Sequence, residues 1–181
     1  NQRQSPIEVV RYKTPEPVKS DGALGRSYSN NMERAYLAAR GARALRDRFN
    51  FYPDLILGHS GWGETLLLQE IWPEAKLLIY AELLYRTRGQ DVGFDPELQK
   101  DSDESRFMTI GRSAHLIQSI VQADAAIAPT RYQADSFPPE LRSKITVIHD
   151  GIETNRVCPN PDARLTLPDG NKLSFEYDEF A

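Results

Sequence analysis

The chain has 181 residues, enough for one domain with a substantial core, since a domain of this size buries roughly 70% of the surface its unfolded chain exposes. Its net charge of -4, with the cationic residues scattered among acidic ones, offers no basic field for a phosphate backbone and argues against nucleic acid as a partner. No apolar run approaches the roughly 18 residues of a membrane span, the opening NQRQSPIEVV lacks a signal peptide's apolar core, and the lone Cys158 has neither a disulfide partner nor a ligand set around it. These features give the expectation of a soluble cytoplasmic protein without a transmembrane segment.

In chain order, Ile7 to Tyr12 (IEVVRY) is a β-rich run that ends at Pro15 and Pro17, and Lys13 to Arg26 reads as a mobile loop. The start at Asn1, almost directly before a strand, suggests a fragment or a trimmed chain. From Asn30 the period changes: Met32, Ala35, Tyr36, Ala39, Ala42, Leu45 and Phe49 form an apolar stripe at helical spacing. Asn30 and Glu33 stand at capping-box spacing, so a helix is predicted from Asn30 to about Asn50. Asp54 to Gly58 reads as a buried strand, Glu64 to Ile71 as a short helix and Lys76 to Tyr80 as another apolar strand. Arg86 to Glu104 is a long aperiodic excursion after that strand. A second helix follows, with Phe107, Ile110, Ala114, Ile117 and Val121 predicted on its core face and Arg112, Ser119 and Gln122 away from it. Ala125 to Ala128 is a strand, Thr130 caps a short helix to about Ser136, and Ile145 to Ile148 is the last parallel-type strand. The tail from Leu165 to Phe180 holds Pro168-Asp169-Gly170-Asn171 between β-prone runs and predicts a hairpin. Strands alternating with helices give a doubly wound α/β sheet with helices on both faces.

The richest segment is DLILGHSGWGE, Asp54 to Glu64, where a strand runs into a His-Ser turn flanked by glycines. In an open α/β sheet the crevice beyond the carboxyl ends of the strands holds the ligand, which places His59, Ser60 and Trp62 where chemistry occurs. Gly58-His59-Ser60-Gly61-Trp62 nearly spells the nucleophile elbow of α/β-hydrolases with Ser60 as nucleophile, but Trp62 stands where the closing glycine belongs and an indole crowds that turn. Neither the Asp spacing nor the three separated His residues forms a metal site.

DLILGHSGWGETLLLQEIWPEAKLLIYAELLYRTRGQDVGFDPE, with AHLIQSIVQADAAIAPTRYQADSFPPELRSKITVIHDGIET, resembles the amino-terminal domain of family 4 glycosyltransferases, in the bacterial group with a family-4-like N-terminal domain. The resemblance covers residues 7 to 161 and implies one Rossmann-like half of a GT-B architecture. In that architecture the amino-terminal domain handles the acceptor across a cleft from a nucleotide-sugar domain. Ala128-Pro129-Thr130 resembles the family's strand-to-helix turn, and Val147 to Gly151 the strand leading to the interdomain linker. The chain departs from the family pattern at both ends. The opening strand and its Gly-rich turn are not evident before Ile7, so the sheet is expected to be incomplete at the N-terminus, and 30 residues after Gly151 are too few for a donor domain. The expected organisation is therefore a Rossmann-like domain over residues 1–153, then a linker and hairpin over 154–181.

The resemblance implies a retaining glycosyltransferase that moves a sugar from a nucleotide-sugar to a hydroxyl acceptor, and that is inactive as this piece alone. It requires no cofactor beyond the co-substrate and no metal, and peripheral membrane contact fits it. The rival readings are a non-catalytic binding module on the same fold and the hydrolase. Glu82 and His59 are the catalytic candidates. Glu82 interrupts the apolar KLLIYAELLY, so it either faces the cleft or pairs with Arg86 or Arg88; His59 either bonds a sugar hydroxyl or caps the turn. Ser60, Gly61, Trp62, Gly63, Arg86, Asp91, Thr130, His149 and Asp150 are the substrate-binding candidates. Asp95 is a further loop carboxylate, and His115, in the middle of a helix, reads as structural.

Overall fold

The computed structural model describes residues 8–13, 15–17, 19, 22–90, 92–95, 97, 102–158, 160 and 164–174. The chain forms two compact units, Asn1–His149 and Asp150–Ala181.

In the first unit Glu8 to Tyr12 lies outside any strand, with Val9 and Val10 exposed, because β-propensity becomes a strand only where a neighbouring strand or packed surface receives it. Helix α1 spans Ala23–Phe49 and starts seven residues before the predicted Asn30. Residues 23–29 contain no proline or β-branched side chain to stop it, and Gly22 serves as N-cap without a side-chain bond. Asn50 ends it in the left-handed conformation, with its N–H bonded to Leu45 O. Asn31, Ala35, Ala39 and Ala42 form the buried face, whereas Tyr36 and Phe49 of the predicted stripe point to solvent.

Strands β1 (Leu55–His59), β2 (Lys76–Tyr80), β3 (Ala125–Ala128) and β4 (Ile145–Val147) form one parallel sheet in that spatial order. Two 3₁₀ turns (Ser60–Trp62 and Glu64–Leu67) and α2 (Leu68–Ile71) join β1 to β2; α3 (Asp103–Gln122) joins β2 to β3; α4 (Arg131–Ser136) and α5 (Pro139–Arg142) join β3 to β4. This is a Rossmann-like α/β fold. In-order parallel strands with right-handed crossovers carry their connections on one face. Burial identifies that face: Ile56, Leu77, Ile79 and Ala126 are buried with Leu116, Ile120 and Phe137, while Leu55 and Leu57 next to Ile56 are 53% and 63% exposed. The described helices thus cover the Ile56 side, and the second helical layer expected from the sequence is not among the described residues.

Asp124 ties the sheet at the foot of β3. Its carboxylate accepts from Leu77 N (2.8 Å) and pairs with Lys76 Nζ (3.1 Å). At the other end of the crossover, Lys144 Nζ donates to the carbonyls of Val121 (2.8 Å) and Ala123 (2.9 Å), which places a cation on the α3 C-terminus.

The second unit contains an antiparallel pair, β5 (Arg164–Thr166) and β6 (Lys172–Ser174), with Leu165 opposite Leu173. Its turn is the predicted one: Gly170 takes φ 86°, and Asp169 Oδ1 accepts from Asn171 N.

Candidate functional site

The carboxyl ends of β1, β2 and β3 open onto one hollow of about 370 Å³ lined by His59, Ser60, Gly61, Glu82, Tyr85 and Thr130, with Leu83, Leu116, Tyr132 and Gln133 completing it. His59 and Glu82, on consecutive βα units, meet here: His59 Nε2 lies 3.2 Å from Glu82 Oε2. The imidazole also stacks on Tyr80 of β2, with ring centroids 5.4 Å apart.

His59 both faces the hollow and caps the turn. Its Nδ1 accepts from Gly61 N at 2.9 Å at the start of the 3₁₀ turn. An Nδ1 that accepts a hydrogen bond carries no proton, so in this arrangement the ring proton sits on Nε2, the nitrogen 3.2 Å from the carboxylate. Glu82 thus has one oxygen against the imidazole at an ion-pair distance while its other oxygen remains a potential acceptor, on a side chain 57% exposed at the mouth of the hollow.

Two glycines in this turn stand close to their neighbours. A Cβ on Gly61 would stand 3.0 Å from the His59 imidazole, and Gly63 takes φ +83° with its Cβ direction 2.7 Å from Asn31 O. From behind, His115 of α3 donates from Nε2 to Gly61 O at 3.1 Å, with Asn31 Nδ2 3.3 Å from the same ring. Burial is the main influence on His115 and holds its imidazole below the ordinary range, so the ring is kept neutral.

Ser60 Oγ is buried and has no hydrogen-bond partner among the described residues. It does not form a nucleophile elbow: Ser60 opens a 3₁₀ turn, and Asn50 is the one described non-glycine residue with positive φ. Trp62 is 57% exposed with the Arg34 guanidinium 5.4 Å over its ring, and neither it nor Gly63 lines the hollow. Thr130 lines it as N-cap of α4, accepting from Gln133 N at 3.2 Å and donating to Gln133 Oε1 at 2.7 Å. Arg86 sits in a separate groove and donates to the carbonyls of Ser136 (3.2 Å) and Asp135. His149 and Asp150 are exposed, stand where the two units divide, and are not among the lining residues. Asp91 lies outside the described residues, and Asp95 Oδ1 accepts from Glu97 N in its own loop. Tyr85, Tyr132 and Gln133 were not singled out from the sequence. The signal for Tyr132 and Gln133 was their place just after Ala128-Pro129-Thr130, the carboxyl end of the next strand. Tyr85, three residues beyond Glu82, is fixed by the Arg112 guanidinium 5.0 Å over its ring.

Among the described residues no cluster of three or more His, Cys, Asp or Glu side chains could hold a metal, and no helix is long and apolar enough to cross a membrane.

A parallel Rossmann-like sheet with a hollow of mixed polar and apolar lining at its carboxyl edge defines an α/β domain of the kind that binds ligands at that edge. The chain belongs to the glycosyl transferase family 4 group, whose family model matches residues 1–157. Neither the curated proteins nor the solved structures provide a significant match.

Proposed function

We propose that this chain is the acceptor-side domain of a retaining, hexosyltransferase-like glycosyltransferase, and that Glu82 receives the hydrogen bond of the acceptor hydroxyl. The observation that supports this most is the His59–Glu82 pair at the mouth of the hollow. A carboxylate with one oxygen set against an imidazole nitrogen 3.2 Å away offers the other to a hydroxyl, and such positioning is the larger part of what a transferase that moves a sugar between oxygens must provide. His59 acts through Glu82 and is a positioning residue. Thr130, Gln133, Tyr85 and Tyr132 supply the hydroxyl, amide and ring edges that suit a polyhydroxylated acceptor, with Leu83 and Leu116 as the apolar floor.

The donor in this reading is a nucleotide-sugar held by a separate domain, whose groups neutralise the leaving diphosphate, so residues 1–181 alone bind nucleotide-sugars weakly and transfer nothing. Ser60, Gly61 and Gly63 shape the turn under the acceptor, while Trp62, Arg86, His149 and Asp150 act outside the hollow. The single exposed Cys158 fits a reducing cytoplasm, the compartment of carbohydrate biosynthesis from nucleotide-sugars. In this reading residues 1–153 are the acceptor-side domain and 154–181 its linker and hairpin.

Replacing Glu82 by Gln in the intact enzyme keeps the shape and removes the charge. Transfer is expected to fall by about 10²-fold or more at an unchanged melting temperature, the range seen for loss of a group that handles a proton. Unchanged transfer, or a loss explained by unfolding, would end this assignment.

A further inference from the structure

We infer that the outer face of α3 is the surface on which two copies of this chain associate, as an antiparallel pair crossing at Ala114. Phe107, Ile110, Ala114, Ile117 and Val121 are the side chains whose periodicity predicts a core face, yet all five are exposed, Ile110 at 62% and Val121 at 55%. A helix layered on a sheet normally turns polar residues outward, and a continuous apolar seam there marks a contact surface.

The occupant follows from the pattern. The spacing alternates three and four residues over two heptads, the seam of a paired helix. It is also nearly symmetric about Ala114. Placed antiparallel on a two-fold axis through Ala114, Phe107 of one copy meets Val121 of the other, and Ile110 meets Ile117. Alanine at the crossing lets the two backbones approach, while the larger side chains fill the flanks. Charge favours the same orientation: Asp103 and Glu104, the first paired with Arg106, leave the first turn of α3 net negative, and Lys144 beside the Lys76–Asp124 pair leaves its C-terminal end net positive, so an antiparallel arrangement sets opposite net charges together. A parallel pair would set like against like. Five side chains per copy make a small interface, below about 1,200 Å² in total, so the association is reversible.

Sedimentation equilibrium of the whole chain over rising concentration tests this and is expected to show a monomer–dimer equilibrium that Ile110→Glu abolishes at unchanged melting temperature, since the position is exposed. Cysteine pairing then reads the geometry. In a Cys158→Ser background, Ala114→Cys should form an intermolecular disulfide on mild oxidation, whereas Phe107→Cys should not, because its two copies would stand on the order of 20 Å apart along the helices. A chain that stays monomeric at every concentration, a dimer that Ile110→Glu leaves intact, or crosslinking at Phe107 in place of Ala114 would each overturn the proposal.

Discussion

His115 and Gly61 are 54 residues apart in sequence and joined by one hydrogen bond, Nε2 to the Gly61 carbonyl at 3.1 Å, so the floor of the hollow is hung from the middle of α3. The same glycine's N–H holds His59, which in turn faces Glu82. The turn is thereby fixed on both sides before any ligand arrives.

This arrangement predicts a pH dependence of stability. Burial lowers the His115 pKa in the folded chain, whereas the unfolded chain titrates near the ordinary value of 6.5, so on acidification the unfolded state takes up its proton first. The contribution of neutral His115 is complete above about pH 6.5 and is lost as the pH falls from there toward the folded value. Urea unfolding across that window should show declining stability, and His115→Ala should flatten the decline while costing about 2–4 kcal/mol at neutral pH through the lost bond and the space left behind. A His115→Ala profile parallel to that of the unmodified chain would show that another group titrates.

Gly63 provides a sharper local test. Its φ of +83° and the 2.7 Å approach of a Cβ to Asn31 O predict that Gly63→Ala costs about 2 kcal/mol or more, well beyond the usual gain from removing a glycine. Gly89, with φ +68° but open space around it, should cost about 1 kcal/mol for the same change. Equal melting temperatures for the two variants would show that the Asn31 contact is not a constraint.

Asp124 predicts the acid side. Its carboxyl is held below the ordinary 3.8, first by the Leu77 N–H and next by Lys76, so its contribution is present above that value and lost as the pH falls through the folded one. Asp124→Ala should cost about 1–2 kcal/mol at neutral pH, mainly by leaving the Leu77 N–H unpaired, and should reduce the acid sensitivity seen in thermal melts below about pH 4. An unchanged melting temperature at neutral pH would show that water replaces the carboxylate at no cost.

The strands were legible because each is a short apolar run closed by turn residues, as in LILGH, KLLIY and AAIA. The meeting of His59 with Glu82 was legible as well, since sequential parallel strands place their carboxyl ends side by side. The orientation of α3 was not. Its inward face carries Thr109, Ser113 and Ser119, whose hydroxyls donate to carbonyls four residues back at 2.8–2.9 Å and so enter the interior already satisfied. A pattern read from hydrophobicity assigns such residues to solvent and the apolar seam to the core, the reverse of what forms. The start of α1 was hidden for a simpler reason: Gly22 caps it without a side chain, and the polar Asn30/Glu33 pair lies within the helix.

The two nitrogens of His59 can be tested separately, because each has an amide analogue. The shorter asparagine side chain would keep an acceptor near the Nδ1 position for Gly61 N, whereas the longer glutamine would extend an N–H donor to the Nε2 position facing Glu82. In the intact enzyme, His59→Asn should therefore retain the melting temperature and lose transfer activity by about 10-fold or more, because Glu82 is no longer held in direction. His59→Gln should do the opposite, with most of the activity retained and the loss of the turn cap costing about 1 kcal/mol. Such a crossover between stability and turnover cannot arise if His59 serves the fold alone, in which case activity would follow the melting temperature in both variants. Full activity in His59→Asn would show that Glu82 needs no imidazole to orient it, and would move the positioning role to Tyr80 or to the backbone of the turn.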